Sequence, residues 1–431
     1  MSRVVRARPD QHGAGEPWRA WPRLAVWPVA AVVLLIGAGL LAALVEELAA
    51  PAVANGHHDF LAFFGAGQLV LQGHPGELYD AAAMTGIQRT IIPYPVGANG
   101  YMPFINPPFV AVAFAPLAAL PYSAARSAWA ALNLVLAVVA SVWIAHELPP
   151  RDRVVGALLI VLSFPVYHAL AEGQWSIVLL VASLAALAAA RRGAWEAAGA
   201  WLAVLWLKPQ FIAFPLLALL LARRWRAVAW AVGLGAAMVV VSLPFTGPSV
   251  DVQYVGYLLQ VVLSHFTGAG AAQASVWQGD LATAEGLNGL LVGYLGQQAV
   301  GLVNALWAVL VAGVLGLYAV AAYRRHPGLA TPEARQMLAV GVLAVLLVDP
   351  NLFTQDCVLL YAAVAALWPV AGRQALPVVA AAAGAAELII LDQGVPTWHL
   401  FTIALLAAAV VGCAAAIRSD LAREPVLARP T

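Results

Sequence analysis

The segment GHHDFLAFFGAGQLVLQGHPGELYD, residues 56–80, holds three histidines, three carboxylates and a tyrosine directly after a long apolar run. Asp59 within it is a candidate general base, because a carboxylate held close to lipid is costly unless it has a task or a partner. The same position also suits an aspartate that is solvated or paired with His58. His57 and His58 are adjacent, so they point in different directions and lack the i, i+4 spacing that puts two metal ligands on one helix face. No metal and no cofactor is therefore expected. A second centre of interest is Lys208, the single lysine of the chain, in WLKPQ. Its ammonium can hold a phosphate, or snorkel to a membrane interface and hold nothing.

Composition dictates where these residues work. Of 431 residues, 63% are hydrophobic and 10% charged, with a mean hydropathy of +0.84. A soluble protein of that balance would lack a charged coat. The apolar residues come in long runs parted by short arginine-bearing breaks, the pattern of consecutive bilayer-spanning helices. Spans are predicted near 25–49, 124–146, 154–170, 175–190, 195–208, 210–223, 226–245, 300–323, 336–350, 356–371, 375–392 and 398–417. A cleaved signal peptide is the competing reading of the first. The run is longer than such a segment needs, and the small-residue site APAVA lies beyond Glu46 and Glu47. Cys357 and Cys413 both fall in predicted spans, which excludes a disulfide framework.

Residues 107–121, PPFVAVAFAPLAALP, are too short to cross and contain Pro116, so they are expected to form a juxtamembrane helix at the surface. With that choice, all of the 22 basic residues except Arg89, Arg126 and Lys208 fall on the side of the N-terminal arm, as the positive-inside rule demands. More than half of the carboxylates fall on the opposite side, among them Glu47, Asp59, Glu172, Asp349 and Asp356. The expected organisation is a cytoplasmic arm (1–24), one membrane domain (25–417) with outer loops at 50–123 and 246–299, and a cytoplasmic tail (418–431). FLAFFGAGQLVLQG is expected to lie on the membrane. Only about 30 residues separate the arginines at 192 and 223, too few for two full spans of about 20 each, so Lys208 is expected at the turn of a shallow, recessed hairpin.

An aspartate shortly after the first helix, then GQLVLQGHPGELYD, YMPFINPPFVAVAFAPLAALP and EGQWSIVLLVASLAALAAARRGAWEAAGAWLAVLWLKPQFIAFPLLALLLARRWRA, resembles the glycosyltransferase family 87 membrane enzymes of the GT-C type. The resemblance runs from about residue 25 to 250 and returns near 345–362. It implies an all-α polytopic membrane protein of about twelve helices with juxtamembrane helices in the first outer loop. It also implies transfer of a sugar from a polyprenyl-phosphate carrier at the outer face of the cytoplasmic membrane, with Asp59 matching the catalytic base. Lys208 then becomes the candidate for the donor phosphate, with Arg89 and Arg126 as further cations. His58, Tyr79, Glu172, Gln174, Trp175, Gln210, Gln355 and Asp356 lie in or beside the matching segments and are candidates for binding substrate. Gln174 suits a sugar hydroxyl, and Trp175 suits either a sugar face or an interfacial anchor. In VDPNLFTQDCVLL, Asp349 stands where the family has serine and Gln355 where a histidine is common, with Asp356 retained.

The expected protein is thus an inverting glycosyltransferase of the cell inner membrane, both termini cytoplasmic. Mannose is the first expectation for the donor sugar and a pentose such as arabinofuranose the second. The acceptor is expected to be a glycolipid or glycan. The lipid bilayer is a partner, and no nucleic acid is expected. Two other classes share the helix pattern: a lipid-linked sugar flippase, which needs polar residues along a central path, and an outer-loop polysaccharide polymerase, which uses loop arginines.

Overall fold

A computed structural model describes residues 21–49, 58–96, 100–267, 285–296, 299–324, 341–349, 352–371, 375–394 and 399–404. The tail expected at 418–431, most of the arm expected at 1–24, most of the helix expected at 398–417, and His57 lie outside them. The described residues are helical throughout, with no strand. In chain order the helices are α1 (Trp21–Ala49), α2 (Phe60–Leu71), α3 (Ala81–Ile91), α4 (Pro108–Ala118), α5 (Tyr122–His146), α6 (Arg153–Val161), α7 (Phe164–Glu172), α8 (Ser176–Arg191) and α9 (Trp195–Leu202). They continue with α10 (Ala213–Leu221), α11 (Trp225–Thr246), α12 (Pro248–Thr267), α13 (Leu287–Leu295), α14 (Val300–Arg324), α15 (341–348), α16 (Leu360–Ala371) and α17 (Ala375–Gly394).

Among the described residues, α1 from Val26, α5 and α11 are long and apolar enough to cross a membrane, and α6 with α7 would make a fourth span bent by 45°. The count of about twelve is not reproduced, because several expected spans are realised as short or broken apolar helices. The span expected at 154–170 breaks at Ser163. Pro165 sits in the first turn of α7, where a missing N–H costs nothing, but it cannot continue α6. The Phe164 N–H freed by this break donates to the buried Glu387 of α17 at 2.9 Å. On the long helices, Leu35, Val135 and Val241 stand exposed, as lipid-facing residues of a membrane protein do.

The expectation that FLAFFGAGQLVLQG lies on the membrane is corrected, and the second outer loop is helical where described. α2 is buried within the protein and packs on one side of α4: Phe60, Leu61, Phe63 and Leu69 of α2 and Val110, Phe114 and Ala118 of α4 are buried, while Ala113 and Pro116 of α4 are exposed. The α2 sequence is apolar almost all round, and such a helix belongs inside protein, not at an interface, where a polar face is needed. Gly67 allows the contact, since a Cβ there would stand 2.8 Å from that of Ala118. The 11 residues of α4 span about 16 Å, too little to cross a bilayer. The loop expected at 246–299 contains α12 and α13. Within it, Tyr254 and Tyr257 pack on Tyr79 with ring centroids 5.7 and 5.5 Å away.

The long helices join two chemically different ends. α5 begins at Tyr122, against Phe60 and Phe64 at 5.6 and 5.1 Å, and is followed by Glu147, which accepts from Arg191 of α8 at 2.7 Å. The Glu147 end also holds Arg224 over Trp195 and Arg226 beside Glu196. Arg151 and Arg192 are exposed at the same end. Single cysteines replacing Arg151 and Arg192 should be shielded from an impermeant thiol reagent on intact cells and labelled after permeabilisation. Labelling of Arg151→Cys from outside would overturn the assignment of sides.

Candidate active site

The opposite end is built around a turn. α7 closes with Gly173 at φ 66°, and Gln174 N–H reaches back to Ala169 O at 3.1 Å, a six-residue closure that ends the helix. A side chain at Gly173 would be strained by that φ, and its Cβ would meet the Cβ of Phe60 at 2.7 Å. The Gly173 carbonyl accepts from Trp129 Nε1 at 2.7 Å. This tight turn presents Glu172 on one side and Gln174 on the other to the start of α2.

Asp59 sits at that start. Its N–H donates to Glu172 Oε2 at 3.0 Å, while its carboxylate accepts from Gln174 Nε2 and, at 3.3 Å, from Gln355 Nε2. Burial and the nearby charge of Glu172 push the Asp59 carboxyl up to about 7, and the Gln174 hydrogen bond opposes them. The residue as a whole is partly exposed, while its carboxyl group is desolvated. Behind it, His58 Nε2 lies 2.7 Å from Glu47 Oε1 and Nδ1 lies 3.7 Å from Glu172 Oε1. Burial opposes the charged imidazole, but the facing carboxylates of Glu172 and Glu47 carry its pKa up to about 9. Arg126 completes the chain by donating to Glu47. Two cations and two carboxylates therefore brace the backbone of Asp59.

Lys208 occupies a break between two short 3-10 helices, Ala203–Leu207 and Pro209–Phe211, forced by Pro209. The ascending arm, eight α residues and five 3-10 residues, spans about 22 Å, short of the roughly 30 Å hydrocarbon core. The lysine is accordingly recessed, only 8% exposed. Its Nζ donates to Asp356 Oδ1 at 2.7 Å, and Ser176 Oγ donates to the same oxygen. Asn106 pins the turn by donating to Leu207 O at 2.9 Å, and Tyr79 OH donates to Asn106 O at 2.8 Å. Gln355 and Asp356 are consecutive in a 3-10 turn, one reaching Asp59 and the other Lys208. Carboxylate and ammonium are thereby held within the reach of two neighbouring side chains.

The fold thus gathers His58, Asp59, Glu172, Gln174, Lys208, Gln355 and Asp356, with Arg126 attached through Glu47. Arg89 stands apart, exposed in the last turn of α3, and Gln210 is exposed beside the Lys208 turn. Trp175 is buried among Phe63, Phe114 and Trp129, with centroids 4.8 to 6.5 Å away, so it is a core residue and no interfacial anchor. Tyr79 stacks in the tyrosine group of α12. Sequence reasoning did not single out Glu47, Ser176 or Asn106 as site residues. Ser176 directly follows EGQW, but nothing local announces that its partner is Asp356, 180 positions away. Among the described residues no group of three or more His, Cys, Asp or Glu has a geometry that could hold a metal ion.

No curated protein and no solved structure matches this chain. The sequence model of glycosyltransferase family 87 matches residues 104–350, more than half of the chain and a stretch that includes Glu172, Gln174 and Lys208. Asp59 and Asp356 lie outside that stretch and enter the site through the contacts above. With a helical membrane architecture and this match over most of its length, the chain belongs to glycosyltransferase family 87.

Proposed function

We propose that the protein is an inverting glycosyltransferase using a polyprenyl-phosphate sugar at the outer face of the cytoplasmic membrane. The observation that supports the reading is that consecutive Gln355 and Asp356 tie Asp59, a carboxyl of raised pKa, to a recessed Lys208. An acceptor hydroxyl gives its proton to Asp59 as its oxygen bonds to the anomeric carbon, and the bond from that carbon to the carrier phosphate breaks. Charge grows on the leaving phosphate, where Lys208 is the available cation. An ammonium has three donors, and the described contacts use one of them on Asp356. The Gln174 and Gln355 amides orient the base.

A lysine recessed below the surface suits a phosphate whose lipid tail stays in the bilayer. Mannose is the first proposal for the sugar and arabinofuranose the second; the acceptor is a glycolipid or glycan. Purified protein supplied with radiolabelled polyprenyl-phosphate mannose or arabinose and membrane extract tests this directly. Release of labelled product from neither donor would overturn the carrier assignment.

The pH profile follows from the state of the base. Asp59 is active as the carboxylate, and its pKa is raised to about 7. Transfer should therefore level off above about 7 and fall about tenfold per unit as pH drops below it. A profile flat down to pH 5 would remove Asp59 from the proton transfer.

A further inference from the structure

A cavity of about 560 Å³ opens between α2, α3 and the start of α5, well inside the range of about 300–1,000 Å³ typical of small-molecule sites. It does not include Asp59 or Lys208. Its inner wall holds Phe64 and Tyr122, and the Tyr122 ring lies 5.6 Å from that of Phe60, the residue after Asp59. The cavity therefore lies behind the aromatic cluster that includes Phe60, at the same end of the molecule as the base. Its rim is polar: Gln72, His74, Glu77 and Thr90 all face it.

These rim groups retain hydrogen-bonding capacity. Gln72 donates once, to Gln68 at 3.2 Å, which leaves its carbonyl oxygen unused among the described contacts. His74 and Glu77, 3.4 Å apart, are about half exposed, at 58% and 50%. Thr90 donates to Ile87 O and keeps its acceptor lone pairs. An apolar wall facing a rim of amide, carboxylate, imidazole and hydroxyl groups matches a sugar ring, which offers a C–H face and a girdle of hydroxyls. An acyl chain would fit the wall but leave the whole rim facing hydrocarbon.

The geometry points to this cavity as a binding site for a neutral saccharide, the non-reacting part of the glycan acceptor, and it rests on the transferase reading above. Gly86 provides a clean test. It lies on the cavity wall, and a Cβ added there meets no atom within 4 Å, so Gly86→Trp introduces an indole at the cavity with no clash at its Cβ. Binding of a mannose disaccharide and an arabinose disaccharide is read by saturation-transfer NMR on the full chain in nanodiscs. The Asp59→Asn background is used so that no turnover intervenes. At least one disaccharide should bind, and adding Gly86→Trp should weaken it by about tenfold or more, with Glu77→Gln weakening it in the same direction. Binding of neither sugar, or equal binding with Gly86→Trp, would overturn the inference and leave the role of Asp59 untouched. A wild-type protein that binds disaccharide but transfers nothing from either lipid donor would sink the transferase reading instead.

Discussion

Asp59→Asn should lower sugar transfer by about two to four orders of magnitude, the range expected when a general base is lost. The substitution keeps size, and the asparagine oxygen can still accept from Gln174. The N–H of residue 59 that binds Glu172 belongs to the backbone and is unaffected. Expression and thermal unfolding should consequently stay close to wild type. Removing a buried negative charge beside Glu172 relieves repulsion, so any change in stability should be towards a more stable fold. If the variant kept most of its activity, Asp59 would be a structural residue bracing the α7 turn, and the proton acceptor would have to be sought elsewhere at this end.

Lys208→Met should lose both turnover and affinity for the donor, because a cation that meets the phosphate acts on the ground state and more strongly on the leaving group. The structure adds a complication. Asp356 is 1% exposed, and stripping its ammonium leaves a buried charge with only Ser176 as partner among the described residues. Breaking such a pair costs about 3–5 kcal/mol, enough to mimic a catalytic defect by unfolding the protein. The double variant Lys208→Met/Asp356→Asn separates the two effects, since a neutral amide can still accept from Ser176. It should recover thermal stability but not transfer. Polyprenyl phosphate, titrated as a product inhibitor, should bind the double variant at least about tenfold more weakly. Undiminished inhibition would show that Lys208 serves Asp356 alone. Lys208→Arg should restore part of the activity, because a planar guanidinium places its charge differently from a compact ammonium.

Both substitutions act on residues that stand out in the amino-acid sequence, and the reason is physical. A lone lysine in a chain that is 63% hydrophobic, and a carboxylate just past an apolar helix, are conspicuous by the cost of placing them there. The break at Pro209 and the shortness of the hairpin that recesses Lys208 are likewise legible from proline chemistry and residue counts. So are the long apolar helices α1, α5 and α11, whose starts and ends fall within a few residues of those expected.

What the sequence by itself determined, then, was the membrane setting, the long helices and the shortness of α4, and it made Asp59 and Lys208 conspicuous. Those depend on local quantities: hydropathy over a window, the length of a run, the position of a proline. Tertiary structure alone decided that α2 is buried and packs on α4, that the stretch 246–299 carries α12 and α13, and that Arg126 is engaged with Glu47. It also paired Gln355 and Asp356 with Asp59 and Lys208, across 296 and 148 positions. A side chain's partner is set by which helices pack together, and that packing is governed by close approaches such as Gly67 on Ala118 and Gly173 on Phe60. Such contacts leave no periodic trace in the chain, because each is a single small residue whose meaning depends on a neighbour far away in sequence.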